Sequence, residues 1–164
     1  MNVALKELPD SSRIWIFQSS RLLGADEEKV LLDMTSHFLA QWTAHQQQLK
    51  AGCTIVDGLF LLIAVDEHYT GASGCSLDKL HHFVKDAGRQ LSLDLLDRLN
   101  VALHQEGAPG WRQIRLHDLE NMISKGEVSG LHKVADVSIQ TLGDYRAGFI
   151  KRIQETWLSR YITA

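Results

Sequence analysis

The sequence has few cysteines and prolines and no long apolar segment, and each shortage excludes a class of protein. Two cysteines among 164 residues form no Cys-x-x-Cys pair, which excludes a disulfide framework. Two prolines and twelve glycines exclude a collagen-like chain. The longest apolar run, 59–65, is far shorter than the roughly 18 residues that cross a bilayer. Because the N-terminus also lacks the pattern of a secretory signal, we expect a cytoplasmic protein that does not enter a membrane.

The charge balance argues against a nucleic-acid-binding protein. Seventeen basic and twenty acidic side chains give a formal net charge of −3. An apolar fraction of 45% is typical of a globular protein, and the length favours a single domain over 1–164, with a core at 13–105 and an extension at 106–164. Eight histidines show neither HExxH nor zinc-finger spacing, so we expect no metal and no other cofactor.

The first part of the chain predicts a strand, a helix and a hairpin. Residues 13–17 are rich in β-branched and aromatic side chains, which favour a strand. Apolar residues three and four apart predict a helix over 26–45. The Asp-Gly pair at 57–58 tolerates the positive φ of a type I′ turn, so it should join 53–56 to 59–65 in a hairpin. The second of these strands is apolar throughout, which predicts that both of its faces are covered.

A second helix beginning near Ser76 and a strand over 98–104 complete an α+β arrangement. The order βαββαβ is that of the ferredoxin-like fold, which we expect to have an antiparallel sheet with its helices on one face. After a turn at 107–110, the remaining elements should form a C-terminal extension. Its predicted parts are a strand at 112–115, a helix at 116–125 stopped by Gly126, a strand near 137–139 and apolar residues at helical spacing over 149–161.

The predicted topology brings distant residues to one edge of the sheet. The end of the first helix, the end of the strand at 59–65 and the start of the second helix should meet there. The residues expected to line a ligand site at this edge are Trp42, His45, Asp66, Glu67, Ser73, Gly74, Cys75 and Ser76. The leading functional prediction is therefore a domain that binds a small ligand or an anion at this edge.

The small residues at 71–76 are the most informative part of the edge. They open a helix, where backbone N–H groups favour an anion such as a phosphate or a carboxylate. They also suit a tight turn, with glycines that adopt positive φ and with Ser73 or Ser76 as the N-cap. The sequence leaves both interpretations open.

Two other classes of function are consistent with the sequence. The first is a cysteine-dependent enzyme: a helix N-terminus stabilises a thiolate, so Cys75 is a candidate nucleophile, with His45 or His68 as its base. The second is a non-catalytic protein that associates with itself. Because ferredoxin-like sheets often have an open face that must be covered, a homodimer is expected by analogy.

Four segments resemble a family of short bacterial proteins that often carry the label ABC transporter ATPase. They are WTAH at 42–45, FLLIAVDE at 60–67, ASGCSLDK at 72–79 and DLLDR at 94–98, and the resemblance covers 14–103 best. The label conflicts with the chemistry, because the sequence has no GxxxxGK[ST] loop to hold phosphates. The family commonly has glycine after the histidine of its WxxH motif, where this chain has Gln46. The resemblance implies the location of a site and no particular reaction.

Overall fold

The computed structural model describes residues 1–107 and 110–162, which form two antiparallel sheets, a short hairpin and several helices. The helices are α1 (Ala25–Gln41), α2 (Gly74–Gln90), α3 (Leu116–Ser124) and α4 (Leu142–Ala147). The strands are β1 (Arg13–Gln18), β2 (Thr43–Ala44), β3 (Gln47–Gln48), β4 (Ala51–Val56), β5 (Phe60–Val65), β6 (Asn100–His104), β7 (Trp111–Arg115), β8 (Lys133–Ala135) and β9 (Ile150–Arg152). Short 3₁₀ helices lie at Leu5–Glu7, Ile153–Glu155 and Trp157–Tyr161. Among the described residues, no helix combines the length and the apolar character needed to cross a membrane.

The first sheet has the strand order β1-β5-β4, and β5 runs antiparallel to both neighbours. The predicted hairpin is confirmed, because Asp57 and Gly58 have φ angles of 53° and 60° between β4 and β5, as a type I′ turn requires. Trp111 of β7 donates its indole N–H to Asp57 Oδ2 at 2.9 Å. The turn therefore also connects the first sheet to the second.

β5 is buried on both faces, as its unbroken apolar run predicts. Successive side chains of a strand point to opposite faces, and the two sets belong to two different core clusters. Leu61, Ile63 and Val65 pack with α1 and α2, whereas Phe60, Leu62 and Ala64 pack with residues of the C-terminal half. In the described part of the chain this sheet has no open face, so the argument for a homodimer that covers one does not apply.

The α+β class is confirmed, with α1 and α2 on one face of the first sheet, but the predicted fourth strand lies elsewhere. β6, predicted at 98–104, belongs to a second sheet of order β7-β6-β8-β9. The outer edge of β1 is instead covered by a later segment, since Ile14 donates its backbone N–H to the Gln140 carbonyl at 3.0 Å. The four-stranded sheet that we predicted is not formed, because β7 and β8 are the strands that pair with β6.

The C-terminal extension differs from its prediction in two places. The edge strand and the helix over 112–125 are confirmed as β7 and α3, and Gly126 has a φ of 74° just after the helix. The strand predicted near 137–139 lies earlier, at β8, and the helical spacing over 149–161 belongs to β9 and two 3₁₀ helices. Pairing with β8 extends the backbone of β9 and prevents a continuous helix. Within the predicted turn at 107–110, residues 108–109 lie outside the described part of the chain.

Candidate functional site

The end of α1 lies against the start of α2, as the predicted topology requires. Trp42 directly follows α1 and is 1% exposed. Its indole Nε1–H donates to the Ser76 carbonyl at 2.9 Å. Trp15 of β1 packs against the same indole in a T-shaped arrangement, with a distance of 6.1 Å between the ring centroids. The structure thus brings together two of the predicted site residues, Trp42 and Ser76, and holds the two helix ends in place through a buried contact.

α1 ends at Gln41 and not at 45, so the predicted position of His45 on a helix is wrong. β2 and β3 form a small hairpin after α1, and its turn holds His45 and Gln46 at φ angles of 50° and 66°. Left-handed backbone is unfavourable for residues with a side chain and favours glycine. His45 and Gln46 are therefore held in a backbone conformation in which glycine would be less strained.

Ser73 and Ser76 cap α2 through reciprocal hydrogen bonds. The Ser76 backbone N–H donates to Ser73 Oγ at 3.2 Å, and the Ser73 backbone N–H donates to Ser76 Oγ at 2.8 Å. Ser73 is therefore the N-cap, which confirms one of the two predicted caps. Since both side-chain oxygens accept a backbone N–H in this cap, the bonds favour a structural role for the two serines.

The glycines of the loop at 71–76 are not required by its backbone. Neither Gly71 nor Gly74 has a positive φ. Apart from the adjacent residues and the backbone of α2 itself, a Cβ atom added at either position would meet no atom within 4 Å. The explanation that these glycines provide positive φ for a tight turn is therefore wrong, and the loop leaves open space beside the start of α2.

Asp66 and Glu67, which follow β5, are each paired with a cation. Asp66 is buried, its Oδ2 lies 3.5 Å from Lys50 Nζ, and its Oδ1 accepts the His68 backbone N–H at 3.2 Å. The Glu67 carboxylate lies 3.6 Å from the Arg13 guanidinium, and both of these side chains are exposed. Exposed pairs contribute little to stability, but the two pairs largely neutralise the carboxylates that the sequence places at this edge.

Cys75 and His45, the predicted nucleophile and base, are both exposed. Cys75 is the second residue of α2, and His45 follows β2, which contacts α2. Within the described residues, no hydrogen bond joins the Cys75 thiol to His45 or to His68. The geometry therefore provides no preformed base for this thiol.

A groove between α1 and α2 opens beside Trp42, and we call it the helix groove. Its volume is about 370 Å³, and it is lined by Phe38, Gln41, Trp42, Lys79, His82 and Phe83. Phe38 and Phe83 stack with ring centroids 4.5 Å apart and planes 6° apart. The Trp42 ring lies 5.4 Å from the Phe38 ring. Because both phenylalanines are only partly buried, the groove presents aromatic surface to the solvent.

The basic side chains that line the helix groove, Lys79 and His82, lie on α2. Lys79 and His82 are both exposed, and residues three apart share one face of a helix. His82 Nδ1 lies 2.8 Å from the Asp78 carbonyl oxygen, which orients the imidazole ring and leaves Nε2 as its other polar atom. Of the described residues that line the groove, none is acidic.

A second cavity, of about 190 Å³, lies where β7 meets α3, and it is lined by Leu99, Arg115, Leu116, His117 and Glu120. The Arg115 guanidinium is already engaged, because it forms an ion pair with Asp97 and donates to Asn100 Oδ1 at 2.9 Å. The helix groove is larger, and among the described residues its lysine has no such partner. It is therefore the better candidate for a functional site.

Sequence reasoning identified one groove residue, Trp42, and missed the others. The spacing of apolar residues places Phe38 and Trp42 together, and the two rings do contact each other at the end of α1. The spacing does not show that this end is open to the solvent. From the sequence we singled out the start of the second helix, at 71–76. The groove residues of α2 lie one to two turns farther along this helix, at Lys79, His82 and Phe83. One feature of the sequence could have indicated the groove. Phe38 and Trp42 are aromatic residues four positions apart near the end of the first predicted helix, and the second predicted helix contains a third aromatic residue, Phe83.

The two cysteines are expected to react with iodoacetamide at different rates, with Cys75 several-fold faster. Cys75 is exposed, whereas Cys53 is half-buried, with its Sγ 3.9 Å from Ser36 Oγ. Burial raises the pKa of the Cys53 thiol, and the hydrogen bond with Ser36 offsets only part of this effect. The rates are measured by mass spectrometry of the two peptides, with Cys75→Ser as the control. If Cys75 reacts no faster than Cys53, a cysteine-dependent enzyme is excluded.

Among the described residues, no three His, Cys, Asp or Glu side chains lie close enough together to hold a metal ion. Comparisons with protein-family models, with curated proteins and with solved structures found no match to this chain. The family resemblance of the four segments stays a prediction, and the functional conclusion below depends on the geometry of the helix groove.

Proposed function

We propose that the protein binds a small ligand with a planar, apolar body in the helix groove. The observation that carries this proposal is the partly exposed, stacked pair Phe38 and Phe83, which lines the groove beside the buried indole of Trp42. Sites for small molecules are concave and mostly apolar, with a few polar groups, and have volumes of roughly 300–1,000 Å³. The helix groove, at about 370 Å³, is of this kind and size. Planar ligands are favoured because they can stack against aromatic rings.

The walls of the groove are held rigidly, which supports a binding role. The hydrogen bond from Trp42 to the Ser76 carbonyl connects the end of α1 to the first turn of α2. The Ser73–Ser76 cap fixes that first turn. Since neither wall has to become ordered when a ligand enters, little of the binding free energy is lost to conformational entropy.

The proposed site overlaps the site predicted from the sequence at Trp42 and lies about one helical turn farther along α2. It keeps the predicted class of function, the binding of a small ligand near the start of the second helix. We also propose that β1, α1, β4, β5 and α2 correspond to the first five elements of a ferredoxin-like unit. The sixth element, β6, pairs in the second sheet instead.

Titration with 2-naphthylmethanol, a neutral planar probe, tests the proposal. The chain has four tryptophans, so its ¹H–¹⁵N NMR spectrum has four indole N–H signals, one of which comes from Trp42. We expect the Trp42 signal to shift and to saturate at millimolar probe, while the signal of Trp157 does not move. Phe83→Ala should weaken binding about three- to ten-fold, because one aromatic contact is lost.

The matched control is Leu131→Ala, which removes an apolar side chain that is 64% exposed and lies outside the groove. This variant should bind the probe as the unmodified protein does. If Phe83→Ala disturbs the dispersion of the remaining signals, Phe83→Leu replaces it, since leucine keeps the apolar volume and removes the stacking. A Trp42 signal that does not respond, or equal binding by the Phe83 and Leu131 variants, would contradict the proposal.

A further inference from the structure

We infer that the ligand of the helix groove carries an acidic group, so that its chemical class is a planar apolar anion: a carboxylate, phosphate or sulfonate on an aromatic body. The inference rests on the proposed function and adds the sign of the ligand's charge. The observation behind it is the set of charges around the groove. Lys79 and His82 are the titratable side chains in the lining, and no acidic residue is among the described residues that line it.

Lys79 is available to a ligand, because it takes part in no ion pair within residues 1–107 and 110–162. The carboxylates at the adjacent sheet edge are engaged elsewhere: Asp66 lies 3.5 Å from Lys50, and Glu67 lies 3.6 Å from Arg13. They therefore cancel little of the field of Lys79 at the groove. An ammonium group beside apolar surface is well placed to pair with the acidic end of a bound aromatic molecule.

The helix ends do not reverse this preference. α1 ends beside the groove, and its C-terminus carries a partial negative charge that opposes an anion, whereas the groove residues of α2 lie beyond the first turn of that helix. The full charge of the Lys79 ammonium exceeds this partial charge of about half an elementary charge, so the side chain determines which ligands are favoured. The formal net charge of the whole chain, −3, is slightly unfavourable for an anion, but charges on distant surfaces are screened within about 8–10 Å in salt.

Three probes with one ring system and different charges test the inference: neutral 2-naphthylmethanol, anionic 2-naphthoate and cationic 2-naphthylmethylammonium. Binding is followed by the indole N–H signal of Trp42. We expect 2-naphthoate to bind about two- to five-fold more tightly than the neutral probe, the range for one exposed ion pair, and the cation to bind most weakly. Lys79→Gln should abolish the preference for the anion, so that the ratio of the affinities for 2-naphthoate and for the neutral probe falls to about one. Lys85→Gln is the matched control, since Lys85 is an exposed lysine of α2 that does not line the groove.

The outcomes separate this inference from the function on which it depends. If the neutral probe shifts the Trp42 signal but 2-naphthoate binds no more tightly, the acidic ligand is wrong and the groove remains a binding site. The same conclusion follows if Lys85→Gln weakens 2-naphthoate as much as Lys79→Gln does. If none of the three probes moves the Trp42 signal, both proposals fail. Both also fail if light scattering detects a dimer that Phe83→Ala dissociates, since a second copy of the chain would then fill the groove.

Discussion

Replacing Trp42 with alanine is expected to lower the free energy of unfolding by about 3–5 kcal/mol. The Trp42 side chain is 1% exposed and contacts aromatic rings of both β1 and α1. Its indole N–H also makes the hydrogen bond that joins the end of α1 to the start of α2. Alanine removes the buried apolar area, leaves a cavity between the sheet and the helices, and loses that hydrogen bond.

Two further variants separate these contributions. Trp42→Phe keeps an aromatic ring and loses the hydrogen bond, so we expect a decrease of about 1–2 kcal/mol in the free energy of unfolding. Trp157→Ala is the control for tryptophan removal in general, because Trp157 is 38% exposed. Its decrease should stay below about 1 kcal/mol. Urea unfolding followed by circular dichroism measures the free energy of unfolding of all three variants. The slope of this free energy against the urea concentration should be the same in each, which shows that the variants expose similar surface on unfolding.

The result bears directly on the candidate site, since Trp42 forms both a wall of the helix groove and the connection between its helices. If Trp42→Ala costs no more than Trp157→Ala, the indole is not buried in solution. The groove as described would then not exist, and the proposed function would lose its basis.

Features that depend on local chemistry could be predicted from the sequence. The Asp57-Gly58 pair specifies a turn because few residue pairs tolerate two positive φ angles in succession. Ser73 specifies a helix start because its hydroxyl accepts a backbone N–H that would otherwise lack a partner. In each case the energetic cause lies within four residues of the feature, so the partner strands and helices do not change it.

Features that depend on distant partners could not be predicted in the same way. The apolar spacing of α1 continues to Trp42, and nothing in the local sequence stops the helix before 45. The helix ends where Trp42 makes its hydrogen bond to Ser76, a residue far away along the chain. The same holds for β6: its residues correctly predict a strand, but the choice between β1 and β7 as its neighbour depends on the whole C-terminal half.

The candidate site belongs to the second category. Cys75, His45 and the two carboxylates at 66–67 attract attention in the sequence because their chemistry is reactive or charged. In the structure the thiol and the imidazole lie exposed without a hydrogen bond between them, and the carboxylates are paired with cations. The helix groove consists of residue types that usually serve packing. Its aromatic surface becomes evident only when the relative position of α1 and α2 is known.

Alanine at either Leu62 or Ile63 is expected to lower the free energy of unfolding by about 2–5 kcal/mol, and the two effects should be similar. These neighbours on β5 point to opposite faces of the first sheet. Leu62 is 1% exposed and Ile63 is 0% exposed. Leu62 packs in the cluster shared with the C-terminal half, and Ile63 packs beneath α1 and α2. A strand covered on one face only would show a large effect at one position and almost none at the other.

Urea unfolding gives both values, with Leu131→Ala as the control for removal of an exposed leucine, which should change the stability by no more than about 0.5 kcal/mol. If either alanine variant does not fold, Leu62→Val and Ile63→Val make the same comparison with smaller cavities. For Ile63→Val the expected decrease is about 0.5–1.5 kcal/mol. A large effect at Ile63 together with a negligible one at Leu62 would mean that the C-terminal half does not pack on the first sheet in solution. That sheet would then have an open face, and a homodimer formed through it would again be the natural expectation.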